Sequence, residues 1–377
     1  MKALFIIDSL ANAGTEKSYL KLLPRFSNDL EVEVVYFYPD HYLLGAFEKA
    51  NLPVHFLNID QKYGFRQGIK RLLELVKEVQ PDLMVSSLLR SNLVSRVVSR
   101  ITGIPLVGTL VSDSYGKVRL ESMQGKGLLK FKLFWLLDRW SARIPVHWIA
   151  NSAFIADSHC ESLRIKRQKI TVVYRGREVP GRLCEKVVSS GGTSTINFVS
   201  IGRLLNTKGW LDLLEAFALV RRERSDCTMT IFGEGALRKS MESRIEELGL
   251  TQSVSLPGNV PQVQERLYDY DCFVFPSWYE GFSGALIEAM MVGIPIIASD
   301  IPMNLEAITP NENALTFPIK DPSMLAAQMI YAINNPLMMA KMGENARQEA
   351  IERFDIVKIA KEYEGVLRKV VTPPGLP

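Results

Sequence analysis

The stretch "FPSWYEGFSGALIEAMMVGIPIIASD", Phe275 to Asp300, contains a complete structural unit. It begins at the end of a short apolar run, "CFVFPS", crosses a turn, "WYEGF", enters a helix-forming stretch, "SGALIEAMMVG", and closes on a second apolar run, "IPIIAS". Continuous apolar strands joined through a helix belong to parallel sheets covered on both faces. Two carboxylates interrupt the pattern. Glu280 lies in the turn, and Glu288 lies in the second turn of the helix, among Ala285, Leu286, Ile287, Ala289 and Met290. A buried carboxylate without hydrogen-bond donors is costly, so Glu288 requires a partner.

The same alternation of apolar runs and helical segments extends through all 377 residues. "ALFIID", "EVEVVYF", "LMVSSL", "PLVGTLV", "HWIANS" and "ITVVY" read as strands in the first half. "INFVSIG", "TMTIFG", "CFVFPS", "IPIIAS" and "ALTFP" do so in the second. A chain of this length exceeds one comfortable core, and two Rossmann-like α/β domains with parallel sheets are predicted. Segment 176–195, "GREVPGRLCEKVVSSGGTST", lacks periodicity and marks the boundary. The expected division is 1–178, a linker at 179–195, and 196–355. A last helical pattern, about 356–371, is expected to pack back on the first domain and to end in a frayed "TPPGLP".

Composition narrows the class. With 47% hydrophobic and 23% charged residues the chain reads as a well-packed soluble protein, and a net charge of +4 is too mild to indicate nucleic acid. Cys160, Cys184, Cys227 and Cys272 lie far apart with no C-x-x-C pair, which fits reduced thiols better than a disulfide framework or a zinc site. The apolar run in "MKALFIID" is broken by Asp8, too early for a signal peptide. No stretch approaches the roughly 18 apolar residues needed to span a bilayer.

Ligands of such sheets bind at the carboxyl ends of strands, so a cleft between two facing sheets is the expected functional place. After the first strand, Ala13-Gly14-Thr15 forms a small-residue turn before a helix, a geometry that can offer backbone N–H groups to a phosphate. The full G-x-G-x-x-G fingerprint is absent. In "FVSIGRLLNTKG", Gly202 turns the chain, and Arg203 and Lys208 follow; as a planar fork and a point charge they suit a diphosphate, although solvated loop cations would read the same. Ser283 and Gly284 would present free N–H groups at the positive end of a helix dipole. Ribose hydroxyls would satisfy Glu288; pairing with Arg203 is the structural alternative, as capping the turn is for Glu280.

Together "GTEK" at 14–17, "SIGRLLNTKG" at 200–209, "GEG" at 233–235, "GNV" at 258–260, the opening stretch and "RFDIVKIAKEYEGVL" at 353–367 resemble family 4 of the retaining GT-B glycosyltransferases. The resemblance covers nearly the whole chain and is strongest from 196 to 370. It implies that Glu288 binds the nucleotide ribose, that Glu280 lies beside the donor sugar, and that Arg203 and Lys208 hold the diphosphate. Glu280, Arg203 and Lys208 would carry catalysis. Gly14, Thr15, Gly202, Asn259, Val260, Gly281, Phe282, Ser283 and Gly284 would complete the donor site, and Ser112 and Asp113 would mark the acceptor region. It further implies a UDP-sugar donor (GDP as the second choice), no cofactor or metal, and a glycan or lipid-linked acceptor in cell-envelope polysaccharide, including lipopolysaccharide, biosynthesis in the cytoplasm. Two other readings are a nucleotide-sugar epimerase and a nucleotide-binding relative without turnover; the intact glutamates and cations weigh against the latter.

Departures from the family pattern leave the sugar open. Where many members have a histidine the chain reads Val111-Ser112-Asp113, and His41, His55, His147 and His159 match none of the expected places. Arg175 stands where many relatives have asparagine, and "IPMNLEAI" replaces a Gly-rich turn before Glu306. Asp269-Tyr270-Asp271 matches a D-x-D metal signature of another glycosyltransferase fold, but its place before a buried strand reads as strand entry. Finally, 125–144 carries Lys126, Lys130, Lys132, Arg139 and Arg143 against Asp138 alone. As a helix it shows a wide stripe, Leu129, Leu133, Leu136, Leu137 and Trp140, expected to face the core. A narrow one, Leu128, Phe131 and Trp135, is the candidate for peripheral contact with an anionic membrane, against burial on both sides.

Overall fold

The computed structural model describes residues 1–59, 64–116, 120, 125–182, 184 and 195–371. Most of the expected linker and the "TPPGLP" tail lie outside the described residues. The chain divides into two compact units, Met1–Gly176 with the terminal helix Ile356–Val371, and Arg177–Asp355.

In the first unit β1 (Lys2–Ile7), β2 (Glu31–Tyr36), β3 (Val54–Phe56), β4 (Leu83–Ser86), β5 (Leu106–Leu110), β6 (His147–Ala150) and β7 (Ile170–Val172) form one sheet in the order β3-β2-β1-β4-β5-β6-β7. Its pairings are parallel, with Ile6 opposite Val35 on one side and Ser86 on the other. In the second unit β8 (Ile196–Ile201), β9 (Cys227–Phe232), β10 (Val254–Gly258), β11 (Cys272–Phe275), β12 (Ile296–Ser299) and β13 (Leu315–Phe317) are also parallel, in the order β10-β9-β8-β11-β12-β13. The winding direction reverses at β1/β4 and at β8/β11, and such switch points open a crevice at the strand ends. Each run read as a strand from sequence is one. The two additional strands, β3 and β10, are edge strands; β10 alternates partly buried and exposed residues and contains Pro257, a pattern that conceals a strand.

The terminal helix contributes Ile356, Ile359, Ala360, Tyr363 and Leu367 to the core of the first unit. Tyr363 stacks on Phe26 at 5.9 Å and lies 6.3 Å from Phe5 of β1. Glu364 accepts the backbone N–H of Ser27 at 2.9 Å. In the second unit helix Pro336–Phe354 crosses so close to helix Gly284–Val292 that a Cβ on Gly343 would collide with the carbonyl of Gly293.

Helix Gly125–Ser141 is turned the opposite way from the sequence-based expectation. Phe131 and Trp135 pack on the core with Trp148 and Ile155, whereas Leu129, Leu133, Leu136, Leu137 and Trp140 are exposed. Polar anchors decide this. Asp138 is drawn inward by buried Arg96, whose Nη1 donates to its Oδ1 at 2.6 Å, and Trp135 Nε1 donates to the Ser162 carbonyl at 3.0 Å. A desolvated ion pair outweighs the larger apolar stripe, because leaving Arg96 unpaired in the core would cost several kcal/mol. Of the cations flanking it, the side chain of Lys126 lies outside the described residues.

Tyr363→Ala should destabilise the first unit by about 3–5 kcal/mol, the usual cost of deleting a buried aromatic ring. Urea unfolding followed by probes in each unit should show the transition of the first unit moved and that of the second unmoved.

Candidate functional site

In the second unit the loops after β8 and β11 meet at the switch point. β8 ends at Ile201, and Gly202 allows the ring of Trp210 to close over the turn, with its Nε1 donating to the Arg203 carbonyl at 3.0 Å. The Arg203 side chain is exposed. Lys208 ends a 3₁₀ turn, Asn206–Lys208, and Gly209 follows with φ +67°, where a Cβ would strike the carbonyl of Pro276. That close approach, with Trp278 N–H donating to the Thr207 carbonyl at 2.9 Å, welds the lysine loop to the end of β11. Lys208 is thereby aimed at Glu280, with which it forms an ion pair; Ser277 Oγ donates to the same carboxylate oxygen at 2.7 Å.

Glu288 is answered by a residue that the sequence reading did not single out. Arg177 Nε donates to its Oε1 at 2.6 Å, with both side chains mostly buried. The guanidinium lies against the first turn of helix Gly284–Val292, where any Cβ on Gly284 would collide with it. Ser283 caps the helix through its Oγ, which accepts Leu286 N–H. Every helix residue except Ala285 and Glu288 is buried, so these two mark its open side. At the far end Gly293, with φ +78°, terminates the helix and Arg347 donates to the Met291 carbonyl. A cation beside a helix N-terminus opposes the helix dipole. Glu288 compensates it. The sequence signal for Arg177 was faint: one arginine in a segment read as a boundary.

The remaining expected donor residues separate. Phe282 turns its ring into the core against Phe354 at 5.5 Å, leaving only its backbone near the site. Gly281 is half-buried in the turn. Asn259 is exposed and Val260 half-buried at the end of β10. Asp271 accepts the backbone N–H of Asn197 at 2.8 Å at the start of β11, the opposite end of that strand from Ser277 and Glu280. Among the described residues no cluster of three or more His, Cys, Asp or Glu side chains is arranged to hold a metal.

The first unit places Gly14 at the start of helix Gly14–Leu22, with the Arg175 guanidinium 3.6 Å from where a Gly14 Cβ would stand. Thr15 and Arg175 line a small pocket with Ser18, Tyr19 and Asn151. Ser112 lines a second cavity, of about 250 Å³, with Asp8, Leu88, Arg96 and His159. Burial pushes the Asp8 carboxyl up, partly offset by the Ser91 N–H, and pushes His159 down, leaving a neutral imidazole whose Nδ1–H donates to the Ile155 carbonyl at 2.9 Å. Leu88 adopts φ +74°, a costly backbone for a branched residue, at the start of helix Leu89–Thr102. Asp113 turns away from this cavity: it is buried and accepts Ser158 Oγ at 2.5 Å, fastening its loop to helix Ala153–Leu163.

Glu288→Ala should cost the second unit about 1–3 kcal/mol, because it strips the compensating carboxylate from a largely buried arginine. Arg177→Met with Glu288→Gln should cost less than the sum of the single changes. Urea unfolding of the set measures both; a neutral Glu288→Ala would mean the pair contributes nothing to the fold.

Comparison with known proteins gives the family. Residues 13–179 match the description "Glycosyltransferase Family 4", and residues 191–349 match "Glycosyl transferases group 1". An uncharacterized glycosyltransferase of Methanocaldococcus jannaschii is 24% identical over 93% of this chain and 96% of its own length. The Escherichia coli UDP-Gal:alpha-D-GlcNAc-diphosphoundecaprenol alpha-1,3-galactosyltransferase is 24% identical over 76% of this chain and 75% of its own. The Staphylococcus aureus capsular polysaccharide biosynthesis glycosyltransferase CapM is 22% identical over 83% of this chain and 84% of its own. Among solved structures, Anabaena HepE in complex with UDP superposes with a TM-score of 0.84 at 20% identity, covering 98% of this chain and 100% of that one. With both halves matched and two parallel Rossmann-like sheets in place, the chain belongs to the GT-B glycosyltransferases.

Proposed function

We propose that the protein transfers a glycosyl group from a UDP-sugar to a hydroxyl of a cell-envelope glycan or lipid-linked saccharide, with retention of configuration and without a metal ion. The observation that carries this reading is the pairing at the second switch point: Lys208 on Glu280 and Arg177 on Glu288, around the N-terminus of helix Gly284–Val292. Two carboxylates and two cations held there by ion pairs form a set that a ligand with both hydroxyls and anionic oxygens can re-partner. The diphosphate draws Lys208 and the exposed Arg203, joined by N–H groups of the helix terminus. Glu280, released from Lys208, accepts from a hydroxyl of the donor sugar. Glu288 accepts from the ribose hydroxyls while Arg177 keeps its charge compensated.

The chemical step we propose is the one that likeness to the retaining glycosyltransferases implies. The acceptor oxygen forms its bond to the anomeric carbon on the face from which the diphosphate departs. As the bond from carbon to diphosphate oxygen breaks, the acceptor proton passes to that departing oxygen. Charge develops on the leaving group, so cations already aimed at it lower the barrier. UDP is favoured because it occupies the similar Anabaena structure and because the Escherichia coli relative is named for a UDP-sugar. The cell-envelope acceptor rests on the names of that relative and of the capsular enzyme.

A thermal-shift panel of UDP, GDP and ADP with their sugars tests the donor. The preferred nucleotide at about 100 times its Kd should add roughly 2.7 kcal/mol, and no response to UDP or GDP would overturn the reading. Glu288→Gln should weaken UDP binding about tenfold in calorimetry. Lys208→Ala should lower kcat by about 100-fold or more with a smaller effect on UDP affinity, the pattern of a group acting on developing charge. Product NMR reads the anomeric configuration; transfer with inversion, or loss of transfer in EDTA, would sink those parts of the proposal.

A further inference from the structure

One feature that sugar transfer does not use is the outward face of helix Gly125–Ser141. Leu129, Leu133, Leu136, Leu137 and Trp140 form one stripe, each between 46% and 73% exposed. Exposed large apolar residues scattered singly are ordinary, but five on one helix face mark an interaction surface. The rims are basic: at helical spacing Lys132 and Arg139 run along one side and Lys130 along the other, and Arg143 follows in the turn after the helix. Asp138, the one carboxylate of this helix, is held inside by Arg96. Beside the stripe, Leu136 and Trp140 continue into an open groove that also gathers Arg139, Arg143, Arg164, Lys166 and Lys169, with no carboxylate among its described lining residues. Arg143 lies over the face of the Trp140 ring, 4.9 Å from its centroid.

We propose that this face docks the first unit on the surface of an anionic lipid bilayer, with the stripe at the boundary between head groups and acyl chains and the groove cations on lipid phosphates. An apolar stripe between two basic margins suits a helix lying in the plane of an interface. Lysine and arginine can extend their charges outward to head groups while their stems stay apolar. No described helix is long and apolar enough to cross a membrane, so contact is peripheral. A second copy joined through the same face would set the two cationic margins against each other, which disfavours a dimer as the occupant. The polar anchors turn the stripe outward whether or not lipid is present: Arg96 on Asp138 and Trp135 on Ser162 fix the rotation of the helix.

Cosedimentation with vesicles tests this. The whole chain should partition about tenfold or more in favour of vesicles of phosphatidylcholine containing one third phosphatidylglycerol over phosphatidylcholine alone, and high salt should lower that binding. Leu133→Gln with Trp140→Gln should remove most of the binding, and Arg143→Gln with Lys166→Gln and Lys169→Gln should remove its salt dependence. These positions lie at the surface, so thermal melting and UDP binding should stay at the level of the unmodified protein, which separates failure of this idea from failure of the donor reading. Equal binding to neutral and anionic vesicles, no binding to either, or insensitivity to both variants would overturn the proposal. So would a dimer in light scattering that Leu133→Gln with Trp140→Gln dissociates.

Discussion

A guanidinium resting on the positive end of a helix is an electrostatic conflict, and the second unit is arranged around resolving it. Arg177 lies where an anion would be the natural guest, and Glu288, one turn further along, holds it there. The glycine beneath it and the serine that caps the helix shape that terminus, while the close crossing of helix Pro336–Phe354 fixes the far end at Gly293. The buried strand-to-helix stretch that announces the fold thus also sets the charge pattern at its end. Two cations and two carboxylates converge there already paired with one another, so the charges of that end are balanced within the unit itself.

Lys208 shows how backbone geometry sets a side chain's task. Its neighbour Gly209 is left-handed, and the Pro276 carbonyl leaves no room there for a Cβ, so both its backbone and its surroundings require glycine. Trp278 then ties its indole N–H to Asp212 at 2.7 Å, within the helix that Gly209 introduces. The lysine is positioned by contacts with the end of β11, the strand that also delivers Glu280. Cation and carboxylate arrive from different segments yet share one rigid frame.

Much of this was legible in the sequence because buried parallel strands write themselves as continuous apolar runs. The strands read from sequence carry that signature; β3 and β10 do not, since neither β3 nor the first four residues of β10 includes a buried residue. Glu280, Glu288, Arg203 and Lys208 could be singled out as candidates by residue type and by their positions after strands. Arg177 could not, because its partner lies 111 residues away and nothing local distinguishes it from a solvated arginine. The rotation of helix Gly125–Ser141 was misread for a related reason. Counting apolar side chains favoured the wide stripe for the core, but one ion pair with a residue of another helix, Arg96, decided the rotation, and long-range pairs leave no periodic trace.

The turn Gly233-Glu234-Gly235 leans on the Gly202–Leu204 turn through backbone alone. Gly233 with φ +141° and Gly235 leave no space for Cβ atoms beside the carbonyls of Gly202 and Leu204, and Leu204 N–H donates to the Glu234 carbonyl at 2.9 Å while its own carbonyl accepts Leu237 N–H at 3.0 Å. None of these bonds depends on which side chain stands at position 203 or 234. The scaffold is therefore indifferent to the very groups that face outward from it. A lineage can exchange those side chains for others with little loss of stability, so that what is recognised drifts while the frame that presents it stays the same.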